Sequence, residues 1–503
     1  MDSGIKNFAD LVLARMKKPD ALFFRGDDGR DLSYASYWEL TGRIANFLVA
    51  QQVKRGDRVM LQAEKSVEAL AVFLACARLG AIFIPLNPAY TASEVSYFLK
   101  DAEPAVFICD PRKIPGDRNG FTAFTLDGNG QGIFADALQR QPSEFEKAAM
   151  NWDDGVAILY TSGTTGKSKG ALLTHGNLGS NAVTLAEAWQ FTADDVLLHA
   201  LPIYHTHGLF VAANTVLVSG GSLLFRRKFD VDDVVALLPQ ATVMMGIPTF
   251  YTRMLAHKKL VREKVKHMRL FISGSAPLLA ETHAEFEARF GHAILERYGM
   301  TETNMNTSNP CIGVRKSGTV GMPLPGVEVR ITDPATGLPL LPGEIGMIEV
   351  RGPNVFKHYW RNPEKTAAEI RADGFFITGD LGSFDSDGYL TISGRGKDLV
   401  ITGGFNVYPK EVETELDLMP EVVESAVIGL PHPDFGEGVT AVVVLKNSNL
   451  QFDEAAIIAE LQKRLARFKV PKRIIAVAEL PRNAMGKVQK SQLRETYKEL
   501  YKA

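Results

Sequence analysis

The chain holds only 3 cysteines in 503 residues, Cys76, Cys109 and Cys311, spaced too widely for a metal knuckle or a redox pair. That scarcity excludes a disulfide scaffold and predicts small buried side chains in a reducing compartment. Net charge is equally scarce. The 56 Lys and Arg nearly cancel 58 Asp and Glu, which indicates no generic polyanion binder and no nucleic-acid partner. Long apolar runs are missing as well: the longest, residues 67–86, contains Glu68 and Arg78 and is broken by Gly80 and Pro85, which argues against a membrane span. The first fifteen residues carry Asp2, Lys6, Asp10 and Arg15 in place of a signal-peptide apolar core, so a cytoplasmic location is expected.

What is present is enough hydrophobic sequence, 46%, for a large core over about three usual domain lengths. The first hundred residues alternate strand and helix signals: 58–61, helical 66–79, 82–85, helical 91–100 and 105–109, a parallel α/β pattern. Residues 110–151 are rich in Gly, Asp and Pro and read as a surface excursion. The alternation resumes with a helix over 175–189, a strand over 196–200, a helix after His207 and strands near Leu223, Val243, Leu270 and Ile294. Beyond Pro310, short alternating segments such as 327–331 and 345–350 predict a small β subdomain. The fold class is therefore α/β: a large N-terminal domain of two βα-layered subdomains plus a small β subdomain, then a small α+β C-terminal domain. From Lys446 onward, 13 Lys and Arg face 6 Asp and Glu, a basic end whose default reading is a solvated surface.

The most informative stretch is Tyr160–Gly170, YTSGTTGKSKG, directly after the apolar run 156–159. Thr161, Ser162, Thr164, Thr165 and Ser168 offer hydroxyls, Gly163, Gly166 and Gly170 let backbone N–H groups approach closely, and Lys167 and Lys169 add charge. Such a loop suits a polyphosphate. It is not a Walker A loop, because Thr161 stands where that motif requires glycine. Four further constellations follow. Glu296-Arg297-Tyr298-Gly299-Met300-Thr301-Glu302-Thr303 puts a carboxylate at a strand end, where it could hold Mg²⁺ for a bound phosphate. Thr378-Gly379-Asp380 places one acid at a strand end, within reach of ribose hydroxyls. Gly394-Arg395-Gly396-Lys397-Asp398 has the glycine and charge of a hinge. Pro481-Arg482-Asn483-Ala484-Met485-Gly486-Lys487 ends on a lysine.

Together and in this order these motifs resemble the acyl-adenylate-forming superfamily of acyl-CoA synthetases, adenylation domains and luciferases, over nearly the whole chain. Residues 201–212 (LPIYHTHGLFVA), 273–279 (SGSAPLL) and 298–310 (YGMTETNMNTSNP) resemble malonyl-CoA synthetases in particular. The resemblance implies a domain boundary with residues 1–396 before it and 397–503 after it, rotation about Lys397, and two steps: a carboxylate attacks the α-phosphate of ATP, then the thiol of coenzyme A displaces AMP. It implies Glu302 as the metal ligand and Thr161 to Gly170 around the phosphates. Lys487 would bridge the two anions, with Thr161 and His205 beside them. Asp380 and Arg395 would bond the ribose. Tyr298 would stack on adenine against Ser275, Ala276 and Pro277, with Glu296, Arg297, Gly299, Met300 and Thr301 around it. Gly403 and Gly404 would meet the pantetheine arm.

For the acid, Arg253, among the apolar residues of 248–255, is expected to hold the distal carboxylate of malonate, with His205, His207, Met305 and Asn306 lining the site. Lys487 on a mobile loop is also a candidate target for a lysine acetyltransferase and deacetylase. Two other readings stand beside this one: a synthetase for another small acid such as methylmalonate, acetate or propionate, and a non-enzymatic nucleotide sensor on the same fold.

Overall fold

The computed structural model describes residues 5–116, 120–161, 168–403, 405–446, 452–483 and 485–501. Two large sheets carry the N-terminal part. The first has seven strands in the order His358–Tyr359, Lys169–Thr174, Gly155–Thr161, Ile82–Pro85, Arg58–Gln62, Val106–Cys109, Thr122–Thr125. Its middle is parallel and buried, as the unbroken apolar strands IFIP and VFIC require. The strand Thr122–Thr125 and the helix Ile133–Leu138 correct the reading of 110–151 as surface: Leu126, Phe134 and Leu138 are buried. That strand is a partly exposed sheet edge, so its sequence carries little apolar signal.

The second sheet has nine strands, and its central strands Ser222–Phe225, Val196–His199, Val243–Gly246, Leu270–Ser273 and Leu295–Met300 run parallel. After Met300 the chain turns back as the antiparallel strand Asn304–Ser308, so Thr301 to Thr303 form a hairpin turn and not a helix start. The helix Val67–Leu79 is buried throughout and packs into the shared core, capped by Ser66 and by Gly80 at φ 83°. A four-stranded antiparallel sheet, Glu328–Thr332, Gly346–Arg351, Phe376–Phe384 and Leu390–Arg395, forms the small β unit.

A further five-stranded sheet lies entirely beyond Val400, with its own cores: one around Val412, Val427 and Val443, another around Ile428, Val442 and Leu493. Between it and the four-stranded sheet runs the single turn Gly396–Asp398. Cys76 and Cys109 are buried as expected, whereas Cys311 is only partly buried. No described helix is long and apolar enough to cross a membrane.

Candidate active site

The parallel strands of both large sheets end at one cleft, and its phosphate end is built first. Thr161 closes the strand Gly155–Thr161, and Lys169 opens the antiparallel return strand, paired with it in register. Ser162, Gly163, Thr164, Thr165, Gly166 and Lys167 lie outside the described residues. Facing the loop's ends is Glu302, 6% exposed, whose carboxylate takes a hydroxyl from Thr161 at 3.4 Å and lies 3.0 Å from the Tyr359 hydroxyl. Tyr359 also lies 2.6 Å from Glu369, and a phenol has one proton, so only one carboxylate receives it at a time. Loss of hydration pushes Glu302 above the usual carboxylate range. No three-residue metal cluster occurs among the described residues, so the donor set fits a cation that brings most of its shell with it. One carboxylate and one hydroxyl, completed by phosphate oxygens and water, suit Mg²⁺.

At the nucleoside end, Asp380 and Arg395 are direct cross-strand partners, joined at 2.7 Å. The Tyr298 hydroxyl donates to the other Asp380 oxygen at 2.6 Å. Each carboxylate oxygen accepts two bonds, so Asp380 keeps capacity for two more donors. Gly379, at φ 75°, makes the turn that aims it. Beside Tyr298, Gly299 leaves room for the Met305 methyl, which a Cβ at 299 would meet at 2.4 Å. Glu296 has an unpartnered oxygen, and burial pushes its carboxyl up to about 8.

Strand alternation then separates residues that the sequence reading had grouped. Glu296 and Tyr298 share one face of Leu295–Met300; Arg297 points to the other, away from Asp380. Its guanidinium lies against Gly274 and is 4% exposed, with Nε and Nη2 lacking any acceptor among the described residues. Burial pushes it down to about 9. Beside it His207, 2% exposed, bonds Ser275 Oγ at 3.1 Å through Nδ1, while its Nε2 and the Ser273 hydroxyl have no partner. Ser275 sits at φ 72°, a left-handed backbone uncommon for serine and typical of functional turns. Burial, then the Arg297 cation, hold His207 well below its ordinary range, and burial alone brings His205 to about 4. Met305 and Asn306 are buried on the neighbouring strand, with Asn306 Nδ2 unpartnered.

Two site candidates stand apart from where the sequence grouped them. Arg297 lies against Gly274 and beside His207 and Ser275, on the strand face opposite Tyr298. Arg253 is exposed: its helix, Pro248–Ala256, buries Phe250, Tyr251, Met254 and Leu255, and that stripe turns Arg253 toward solvent.

Sequence reading also missed what fixes the His205 turn. Lys65, 5% exposed, donates to His199 Nδ1 at 2.8 Å, His199 O at 2.9 Å and Arg226 O at 2.7 Å. With Nδ1 accepting, His199 Nε2–H donates to Gly208 O at 2.8 Å, tying both ends of residues 199–208. Lys65 follows the strand Arg58–Gln62 of the other sheet, so this bond network joins the two halves of the cleft. No local pattern marks it in the sequence.

Lys487 reaches the cleft from the C-terminal unit. Its loop seats against the start of the helix Pro248–Ala256: a Cβ at Gly486 would stand 3.3 Å from Ile247 Cδ1 and 3.5 Å from Thr249 Oγ1. The side chain opens to the cleft, yet the surrounding protein strips enough water to push it down to about 8, with Arg395 as the next cause. Gly403, at φ 58°, turns the hairpin between Val400–Thr402 and Phe405–Val407; Gly404 lies outside the described residues. Of the basic residues of the C-terminal unit, Lys463, Arg464 and Lys469 are tied to glutamates, whereas Lys472 lies over the Phe435 ring at 4.8 Å.

Comparisons with known proteins agree with this layout. A family model described as AMP-binding enzyme matches residues 13–360, and one for the AMP-binding enzyme C-terminal domain matches 411–487. A malonate–CoA ligase of Arabidopsis thaliana is 33% identical across 93% of this chain and 85% of its own. A feruloyl-CoA synthase of an Amycolatopsis species is 35% identical across 93% and 94%. The crystal structure of ATP-bound MatB from Rhodopseudomonas palustris is 57% identical over 99% of both chains and superposes with a TM-score of 0.96. The apo form of the same protein gives 0.85 at the same identity, so the chain superposes better on the ATP-bound form.

Proposed function

The chain belongs to the AMP-binding enzyme family of adenylate-forming CoA ligases, and from that premise we propose that it is an ATP-dependent malonyl-CoA synthetase. The family alone does not choose the acid, since feruloyl and malonate ligases resemble the chain about equally. The observation that carries malonate is Arg297: a buried guanidinium with unmet donors needs an anion, and a monocarboxylate spends its only one at the phosphate. His207 and Ser275 stand beside it to complete the recognition.

In this reading one malonate carboxylate rests on Arg297 while the other attacks the α-phosphorus of ATP. The new oxygen–phosphorus bond forms as the bond to the β-phosphate breaks, and pyrophosphate leaves. Lys487, still largely protonated at neutral pH, draws the two anions together, and neutral His205 orients the attacking oxygen. Glu302 and Thr161 would hold Mg²⁺, which supplies charge neutralisation on the phosphates. Lys169 and the 161–170 loop cradle the leaving pyrophosphate. Asp380 accepts the ribose hydroxyls beside Arg395, and Tyr298 supports the adenine against Ser275, Ala276 and Pro277, with Glu296, Gly299, Met300 and Thr301 around its edge. Met305 and Asn306 bound the middle carbon.

In the second step the coenzyme A thiolate attacks the acyl carbon and AMP leaves. We place the domain boundary at Lys397, in the turn between the two sheet systems, and the rotation there withdraws Lys487 and brings Gly403 and Gly404 to the pantetheine arm. A Lys397→Pro variant competent in both steps would remove that rotation. Acetylation of Lys487 would cancel its charge and act as a switch; unchanged pyrophosphate release by the acetylated protein would exclude it. A cytoplasmic location accords with small soluble substrates and is checked by fractionation.

The deciding experiment is pyrophosphate release with a panel of acids. Malonate should exceed acetate and propionate by at least about a hundredfold in kcat/KM. Equal use of propionate would overturn the assignment.

A further inference from the structure

We infer that Met485 is the apolar anchor that seats Lys487 for adenylation, a positioning role resting on the two-step reading above. The lysine loop is rigid within itself. Asn483 Oδ1 accepts from the N–H groups of Met485 and Lys487, both at 3.0 Å, and the Asn483 N–H donates to Lys487 O at 3.0 Å. Gly486 N–H donates to Asn483 O at 2.9 Å, and Arg482 ties Gly486 O to Glu424 of the C-terminal sheet. A loop so braced cannot adjust Lys487 by itself. The position of the ammonium is set by where the whole loop docks.

Met485 supplies the dock. It is 7% exposed and belongs to the core cluster formed otherwise by residues 8–390; among the described residues it is the only one beyond Leu390 in that cluster. The core of its own unit does not include it. A Cβ on its neighbour Gly486 would stand 3.3 Å from Ile247 Cδ1, a member of the N-terminal cluster at the carboxyl end of Val243–Gly246. The helix Pro409–Asp417 also packs beside the strand Leu390–Arg395, and the exposed pair Lys446–Glu281 at 3.6 Å crosses the same junction, where solvent screens it. An unbranched thioether suits a contact that must be made and broken each cycle, because it fills a gap without a single rigid fit.

The test compares Met485→Ser with Met485→Leu in the full chain. ATP–pyrophosphate exchange with malonate reads the first half-reaction; coenzyme A-dependent consumption of supplied malonyl-adenylate reads the second; thermal melting reads folding. Met485→Ser should lose exchange by at least about tenfold through misplacement of Lys487, with the second half-reaction and the melting temperature little changed. Met485→Leu should restore exchange to within about threefold of wild type. Undiminished exchange in Met485→Ser, an equal fall in both half-reactions, or a failure of Leu to rescue would overturn the anchor. Absence of exchange in wild type with malonate would fail the substrate reading alone, and the same comparison then runs with the acid that wild type does use.

Discussion

Gly274 and Arg297 occupy one space: a Cβ on residue 274 would stand 2.4 Å from Arg297 Cζ and 2.5 Å from Nη1. Glycine is required at 274 because the guanidinium lies where a side chain would be. Gly274→Ala must therefore push Arg297 out of line. It should lower malonate kcat/KM by at least about tenfold while ATP binding is retained. Unchanged malonate kinetics in this variant would mean that the position of Arg297 does not matter.

The pH dependence follows from Lys487. In the proposed mechanism its protonated form is the active one, and that form is lost as pH rises through about 8. Adenylation kcat/KM should fall by about tenfold per pH unit above that point, and the thioester step, whose thiol ionises at higher pH, should show no such limb. His205, brought to about 4, stays neutral between pH 5 and 8 and adds no inflection there. Half-reaction profiles that fall together at alkaline pH would contradict this.

Glu302 is a buried carboxylate, proposed above to meet a cation that arrives with ATP. Glu302→Gln keeps the shape of the side chain and an oxygen within reach of the Tyr359 hydroxyl while removing the charge. Adenylation should fall by about a hundredfold and need more Mg²⁺, while the ligand-free protein melts no lower than wild type, because an uncompensated charge has gone. A clear loss of melting temperature would instead make Glu302 structural.

Lys65→Met would leave two buried acceptors, His199 Nδ1 and Arg226 O, without their donor, while His199 O keeps the Arg226 N–H. Each unmet acceptor costs about 1–3 kcal/mol, so calorimetry should show a lower melting temperature, along with a lower kcat as the 199–208 turn loosens. A variant as stable and as active as wild type would dismiss the network.

Much of this was legible in the sequence, for stated physical reasons. Strands buried on both faces announce themselves as apolar runs, and Ile82–Pro85 falls where its residues predict. The half-exposed edge strand Thr122–Thr125 gives no such signal. The motifs at 160–170, 378–380 and 481–487 stand out in the sequence because each is a local run of residues. Arg253 lies on the exposed side of its helix, as the stripe Phe250, Tyr251, Met254, Leu255 already implies, and strand alternation already sets Arg297 against Tyr298. Lys65 and Met485 act on residues more than a hundred positions away, and nothing adjacent to them in the chain shows it.

The central claim is that Arg297 holds the second carboxylate of the acid. Its most direct test is kcat/KM for malonate in Arg297→Met, a substitution that keeps the length and apolar contacts of the side chain and removes a buried, unpaired cation. The account predicts a loss of at least about thirtyfold with malonate, propionate used no worse than before, and a melting temperature equal to or above wild type. Malonate kcat/KM within about threefold of wild type would contradict it.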